Sequence, residues 1–438
     1  MKKAFRAAIF HCLADPGETG DANATQYFDD GLLVTDNGVI TALGKAPDLL
    51  ETHADVEVDE FPNMLIVPGL VDCHVHFPQV DIIGSFGEQL LDWLNRYAYP
   101  GEMRYADSEY ADTAAEFFLD ELLKNGTTTA AVFATVHPQS ADAIFKAAKT
   151  RNMRLIAGKV LMDRNCPENL RDTPESAYED SKELIERWHG EGRLSYAITP
   201  RFALTSSEEQ LAAAGRLASE YPDTWVQTHL AENHAEIDEV AEQFSWSKSY
   251  LDVYDHFGLL RERSIFAHCL HLGDDDRKRM SEQGGAAAFC PTSNLFLGSG
   301  LYDLRAMTDA ALRTGLATDV GGGTSLSMLR TMGEAYKVLQ LQQQSLPASR
   351  ALYLGTLGAA EALRLDDRIG NLEPGKEADF IVLDPCATDL TARRLGDTHA
   401  PEEILFALTM LADERNISAT YLQGQPTVCC RPRGKRSS

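Results

Sequence analysis

The sequence predicts an α/β fold, a TIM-like (β/α)₈ barrel carrying a small β-sandwich that both chain ends build together. Three observations predict it. Short apolar segments, each the length of a buried strand, recur from Gly69 to Thr318. Helical stretches separate them, the alternation expected of a parallel sheet with crossover helices. Strand-like texture returns outside this region at both ends of the chain. An open doubly wound sheet shares the alternation, but it would carry a glycine-rich phosphate loop after its first strand, and this chain has none there.

In chain order, strands are expected at Ala4–Cys12, Gly31–Thr35, Val39–Leu43 and Met64–Val67. Asp36-Asn37-Gly38 joins two of them, and Asn-Gly suits the positive φ angles of a tight hairpin. After Pro68-Gly69 the barrel strands follow at Gly69–His74, Thr127–Phe133, Arg154–Val160, Leu194–Pro200, Thr224–His229, Ser264–His268, Ala286–Cys290 and Gly315–Thr318. Among the intervening helices are Asp107–Lys124, Ser140–Thr150, Pro174–His189, Ser207–Glu220 and Leu326–Leu341. Gly375–Asp384 and Thr420–Gln425 return to strand texture. The expected division is 1–68 and 371–438 for the small β unit, with the barrel, 69–370, inserted between them.

Composition narrows the function. The 438 residues are 44% hydrophobic, which supplies a substantial core. The formal charge of −26 repels phosphate backbones and anionic lipid, so polymeric nucleic acid and membrane are poor partners, whereas a neutral nucleobase is not excluded. Eight scattered cysteines form no Cys-x-x-Cys pair, which argues against a thiolate zinc site and for a reducing cytoplasm. The start, Met1 to His11, is interrupted by Arg6 and reads as a first strand rather than a leader. The last residues, Arg431 to Ser438, are basic and polar and read as a tail.

The run Pro68-Gly-Leu-Val-Asp-Cys-His74-Val-His76-Phe-Pro-Gln79 ends the first barrel strand. Strict alternation would put Asp72, His74 and His76 on one face. Other predicted strand ends carry His229, His268 and Asp319. In a parallel barrel these C-terminal strand ends converge on one mouth. Three neutral imidazoles and a carboxylate would give a cation four protein ligands. A cation held there lowers the pKa of water from about 15.7 to about 7, which provides a nucleophile at neutral pH. Glu232, three residues beyond His229, is then the candidate proton carrier. His271 is read as a supporting residue. Lys159 is read as an ordinary amine or salt bridge, although a carboxylated lysine bridging two metals stays open at this point.

These motifs resemble the amidohydrolase superfamily and, within it, the guanine deaminases. General marks of the resemblance are Pro68 to His76 and Ile369-Gly-Asn-Leu-Glu-Pro-Gly-Lys-Glu-Ala-Asp-Phe. More specific are His76-Phe-Pro-Gln79, Glu88-Gln-Leu-Leu-Asp-Trp-Leu, Gly126-Thr-Thr-Thr, Ile198-Thr-Pro-Arg-Phe202, His229-Leu-Ala-Glu-Asn, Cys290-Pro-Thr-Ser-Asn-Leu and Thr318-Asp-Val-Gly-Gly-Gly. The resemblance implies one zinc ion per subunit on His74, His76, His229 and Asp319, and hydrolysis of guanine to xanthine and ammonia. It implies proton transfer by Glu232, a second base in Asp319, and orientation of the attacking water by His268. Gln79, Arg201 and Phe202, with His76 and His229, are implied to contact the purine, and the assembly is implied to be a homodimer.

The physical reading of the residues agrees with these roles. Arg201 can donate to a carbonyl oxygen where adenine would bring an amine, and Phe202 offers a flat apolar face. Trp93 either lines the pocket or packs a helix. Two other readings stay open: hydrolysis of another nitrogen heteroaromatic such as a pterin or triazine, and a silent relative acting as a scaffold. The second is disfavoured because no expected ligand is missing.

Overall fold

The computed structural model describes residues 2–87, 89–396 and 400–427. Glu88, Cys429, Cys430 and the basic tail from Arg431 lie outside the described residues. The strands are β1 (Lys2–Cys12), β2 (Thr25–Asp36), β3 (Val39–Lys45), β4 (Val58–Pro68), β5 (Leu70–His76), β6 (Thr127–Phe133), β7 (Arg154–Gly158) and β8 (Val160–Leu161). They continue with β9 (Leu194–Pro200), β10 (Trp225–Leu230), β11 (Ser264–His268), β12 (Ala286–Phe289), β13 (Arg313–Leu316), β14 (Phe380–Leu383), β15 (Ile417–Leu422) and β16 (Gln425–Pro426).

The expected sandwich takes the form of one seven-stranded mixed sheet in the order β16-β15-β14-β4-β1-β2-β3, so both chain ends contribute. Its β2–β3 hairpin turns at Asn37 (φ 50°) and Gly38 (φ 83°), the two positive angles that Asn-Gly favours. Phe5, Phe380 and Tyr421 from three of its strands pack with ring centroids 4.5–5.1 Å apart.

The barrel strands run in parallel in the order β5-β6-β7-β9-β10-β11-β12-β13, with the short β8 attached to β9. Every residue of β6, Thr-Thr-Thr-Ala-Ala-Val-Phe, is buried, as expected of a strand covered on both faces. The ring is drawn together beyond the end of β13, where Asp319 N–H donates to His74 O at 2.9 Å and His76 N–H donates to Val320 O at 2.8 Å. That closure carries Asp319 to the histidines of β5.

The helices follow local sequence signals. Asp107 accepts the N–H groups of Glu109 and Tyr110 and caps the helix Ser108–Lys124. Its buried stripe, Ala111, Ala115, Phe118, Leu119 and Leu122, has the spacing of one helical face. Truncating Phe118 to alanine would cost about 3–5 kcal/mol through lost burial and the cavity left behind.

One expectation for β5 is corrected. The pairing of β5 with β6 shifts register between Asp72 and Val75. Val71 and Cys73 lie in the same buried cluster as Ala131, Ala197 and Ala267 from other barrel strands. Past the irregularity, His74 and His76 meet His229 instead. Asp72 does not share their environment: it accepts the backbone N–H of Thr318 and of His74, at 3.0 and 3.2 Å. An extra residue in a strand breaks the period of two that simple alternation assumes.

Candidate active site

His74 and His76 stand at the end of β5, His229 near the end of β10, and Asp319 three residues past β13. His76 Nε2 lies 3.1 Å from His74 Nε2 and 3.2 Å from His229 Nε2. Asp319 Oδ1 lies 3.2 Å from His74 Nε2 and 3.4 Å from His76 Nε2. His229 Nδ1 donates to the carbonyl of Arg201 at 2.7 Å, so its Nε2 carries a lone pair toward the other rings. A neutral ring nitrogen has either one proton or one lone pair to offer, and His76 Nε2 faces two such nitrogens. Hydrogen bonding alone cannot satisfy that meeting of imidazoles.

A cation can. Zinc–nitrogen bonds of about 2.0–2.1 Å in a tetrahedron place ligand atoms roughly 3.3–3.4 Å apart, near the separations seen here. The four ligand atoms all lie within 4.8 Å of one another. Burial keeps the rings neutral: it brings His76 down to about 3 and holds His74 and His229 below their ordinary values. Burial also opposes ionisation of Asp319, but hydrogen bonding to His74 and His76 outweighs it and holds the carboxyl well below its usual range. A second possible group, His268, Cys290 and Asp319, shares a ligand with the first. Burial pushes the Cys290 thiol well up, away from the thiolate that binds metals, so this is the poorer set.

Glu232 sits in the turn after β10, where Ser299 Oγ donates to its carboxylate at 3.0 Å. Its pKa is pushed up to about 8 by burial and then by the charge of Asp319, with Ser299 and Arg201 pulling the other way. At neutral pH it is therefore an acid that can both give and regain a proton. His268 Nδ1 lies 2.9 Å from Asn294 Oδ1, which makes Nδ1 the donor. Its buried Nε2 has no hydrogen-bond partner and stands 3.4 Å from Glu232 and 3.7 Å from Asp319. The backbones of Ala231, His268 and Asp319 have φ of 51°, 72° and 49°, a region L-residues rarely adopt. Such conformations cluster where function holds them.

His76, His229, Asp319, Glu232 and His268 line one cavity together with Gln79, Trp93, Arg201 and Phe202. Arg201 is buried and makes a salt bridge to Glu102 at 2.7 Å. Trp93 lines the cavity and also packs into the surrounding core, so both of its sequence readings hold, and its buried indole N–H has no acceptor among the described residues. Phe133 packs against His74, His76 and His229, its ring 4.7, 4.7 and 5.0 Å from theirs. His271 bonds Ser299 O at 3.0 Å, so it supports the residue that donates to Glu232. Lys159 forms a buried ion pair with Asp172 and belongs to no ligand group among the described residues.

Four contributors were not legible in the sequence: Glu102, Phe133, Asn294 and Ser299. Asn294 and Phe133 stand inside stretches singled out for other reasons. The only advance signal for Glu102 is that a buried arginine needs a carboxylate.

Comparison with known proteins places the chain. The Amidohydrolase family profile matches residues 65–427. The guanine deaminase of Escherichia coli (strain K12) is 52% identical over 405 residues, 92% of each chain. A solved structure of E. coli guanine deaminase superposes with a TM-score of 0.94 at 50% identity, covering 97% of this chain and 99% of that one. Guanine deaminase from C. acetobutylicum, solved with guanine bound in its active site, superposes with a TM-score of 0.89 at 27% identity, covering 97% and 100%. With its ligand-bearing strand ends and its cavity in the same frame, the chain belongs to the amidohydrolase family, in the guanine deaminase branch.

Proposed function

We propose that this protein hydrolyses guanine to xanthine and ammonia, with one zinc ion per subunit on His74, His76, His229 and Asp319. One observation carries the reading: a single cavity joins His76, His229 and Asp319 of that ligand group, the protonatable Glu232 and the N–H donors of Arg201 and Gln79. Three imidazole nitrogens and one carboxylate oxygen are a donor set that suits zinc. When bound, the ion supplies Lewis acidity and a water more acidic than bulk water.

The residues divide the remaining work. Water oxygen adds to C2, the C2–N2 bond breaks, and nitrogen leaves as ammonia. Of the two water protons, one ends on ring N3 and the other on the departing amine. Glu232, protonated at the start, donates to N3 as attack loads charge there; its carboxylate then takes one water proton for the amine, and the other water proton, taken first by Asp319, returns Glu232 to its starting state. Asp319, held ionised, is the second base. His268 presents its unpaired Nε2 to the attacking water. Arg201 and Gln79 donate to the purine edge that carries O6, and Phe202 and Trp93 confine the ring. We assign the protein to the cytoplasm as a homodimer, in keeping with the family resemblance; no helix among the described residues is long and apolar enough to cross a membrane.

The test is ammonia release from guanine, adenine, cytosine and a pterin by purified protein of known metal content. Guanine-selective release that a chelator abolishes is expected. Release from another ring, or none with zinc present, would overturn the substrate assignment.

A further inference from the structure

Between the substrate-facing residues and the protein interior lies a carboxylate with no role so far. Glu102 is 1% exposed and ends the short helix Tyr99–Glu102, which runs directly into Met103–Ala106. Arg201 Nη1 donates to both its oxygens, at 2.9 and 2.7 Å. Gln79 Nε2 donates to the same Oε1 at 2.8 Å. The other end of the Gln79 amide is also committed, because its Oε1 accepts the N–H of Gly321 at 3.1 Å. The guanidinium of Arg201 lies against the Tyr99 ring, 5.3 Å from its centroid.

The polar capacity left over can be counted. An amide has two N–H groups and a carbonyl oxygen with two lone pairs; Gln79 has committed one N–H to Glu102 and turned its oxygen to Gly321, which leaves its amino end one N–H to offer. Arg201 has five N–H groups and no acceptor, and its Nη1 is spent on Glu102. Arg201 therefore offers only donors, and Gln79 keeps an N–H while its oxygen is turned to Gly321. An inverted Gln79 amide would set its carbonyl oxygen against the carboxylate of Glu102 and its N–H against that of Gly321, two repulsions at once.

We propose that Glu102 is a positioning residue that fixes the polarity of the substrate pocket, holding Gln79 and Arg201 so that this wall accepts acceptor-bearing ring edges and rejects amines. The inference rests on the guanine reading above and deepens it. Glu102 touches no substrate; it acts by forbidding the inverted amide, so discrimination comes from an imposed mismatch as much as from a favourable contact.

The probe is 2,6-diaminopurine, which keeps the hydrolysable amine at C2 but carries an amine where guanine has O6. The zinc-loaded wild-type enzyme and the Glu102→Gln variant are compared for kcat and KM on both purines, with the product from 2,6-diaminopurine identified to confirm loss at C2. A glutamine at 102 can donate or accept, so one of the two repulsions against the inverted Gln79 amide is removed. The expected result is a KM for guanine raised about tenfold with kcat within about threefold, and a guanine preference in kcat/KM reduced at least about tenfold. Glu102→Asp keeps the charge but cannot span both partners, so it should also lose part of the preference; it decides the matter if Glu102→Gln does not fold. A preference unchanged in the folded variant would show that Glu102 merely neutralises a buried arginine. Wild-type enzyme without activity on guanine would instead remove the guanine reading, and this inference with it.

Discussion

The carboxylate of Glu236 accepts the backbone N–H of Glu232 at 3.0 Å, so the candidate proton carrier is held by a second buried carboxylate. Glu236 also accepts the N–H of Asn233 at 3.1 Å, completing a capping box on the helix His234–Gln243, and Tyr250 O–H donates to it at 2.7 Å. Burial, then the charge of Glu232, pushes the Glu236 pKa up to about 7, against the pull of these donors. A carboxyl whose folded pKa is raised binds its proton more tightly in the native state. Its contribution to stability is therefore full below the unfolded value of 4.5 and is lost as pH rises through about 7. Glu236→Gln should gain in melting temperature relative to wild type by a few degrees as pH rises across that window. Parallel melting curves at all pH values would contradict the assignment.

Glu232→Gln removes the proton carrier while leaving the ligand group intact. Its kcat should fall by about 10²–10⁴ with zinc content unchanged. Near-normal turnover would take Glu232 out of the mechanism.

Removing the metal should abolish activity, and one equivalent of zinc should restore it. The apo protein should also melt at lower temperature, because an ion that binds only the native state adds stability. His229→Ala should lose most bound metal, since it removes one ligand of four. Full activity in metal-free protein would end the metal proposal.

Arg201→Ala leaves Glu102 buried without its cation. Breaking such a pair costs about 3–5 kcal/mol, so this variant should be destabilised as well as less selective for guanine. Adding Glu102→Gln should recover much of the stability and none of the selectivity. Denaturant unfolding of the single and double variants separates the two effects.

Trp93→Phe keeps the aromatic wall but deletes the unpaired indole N–H. A neutral hydrogen bond is worth about 0.5–1.5 kcal/mol net, so KM for guanine should rise about two- to tenfold with little change in melting temperature. An unchanged KM would show that the indole N–H meets no substrate atom.

The sequence by itself determined the repeating strands and helices, the hairpin at Asn37-Gly38 and the candidate ligands His74, His76, His229 and Asp319. All of these are local: periodicity and turn chemistry act over a few neighbouring residues, and strand ends in a parallel barrel must meet at one mouth. Tertiary structure alone decided the pairing of Arg201 with Glu102, 99 residues away, the Ser299 hydrogen bond to Glu232, and the irregularity that turns His74 and His76 away from Asp72. A buried charge takes whichever partner the closed chain brings within reach, and strand register follows the neighbouring strand, so neither leaves a mark in the residues on either side.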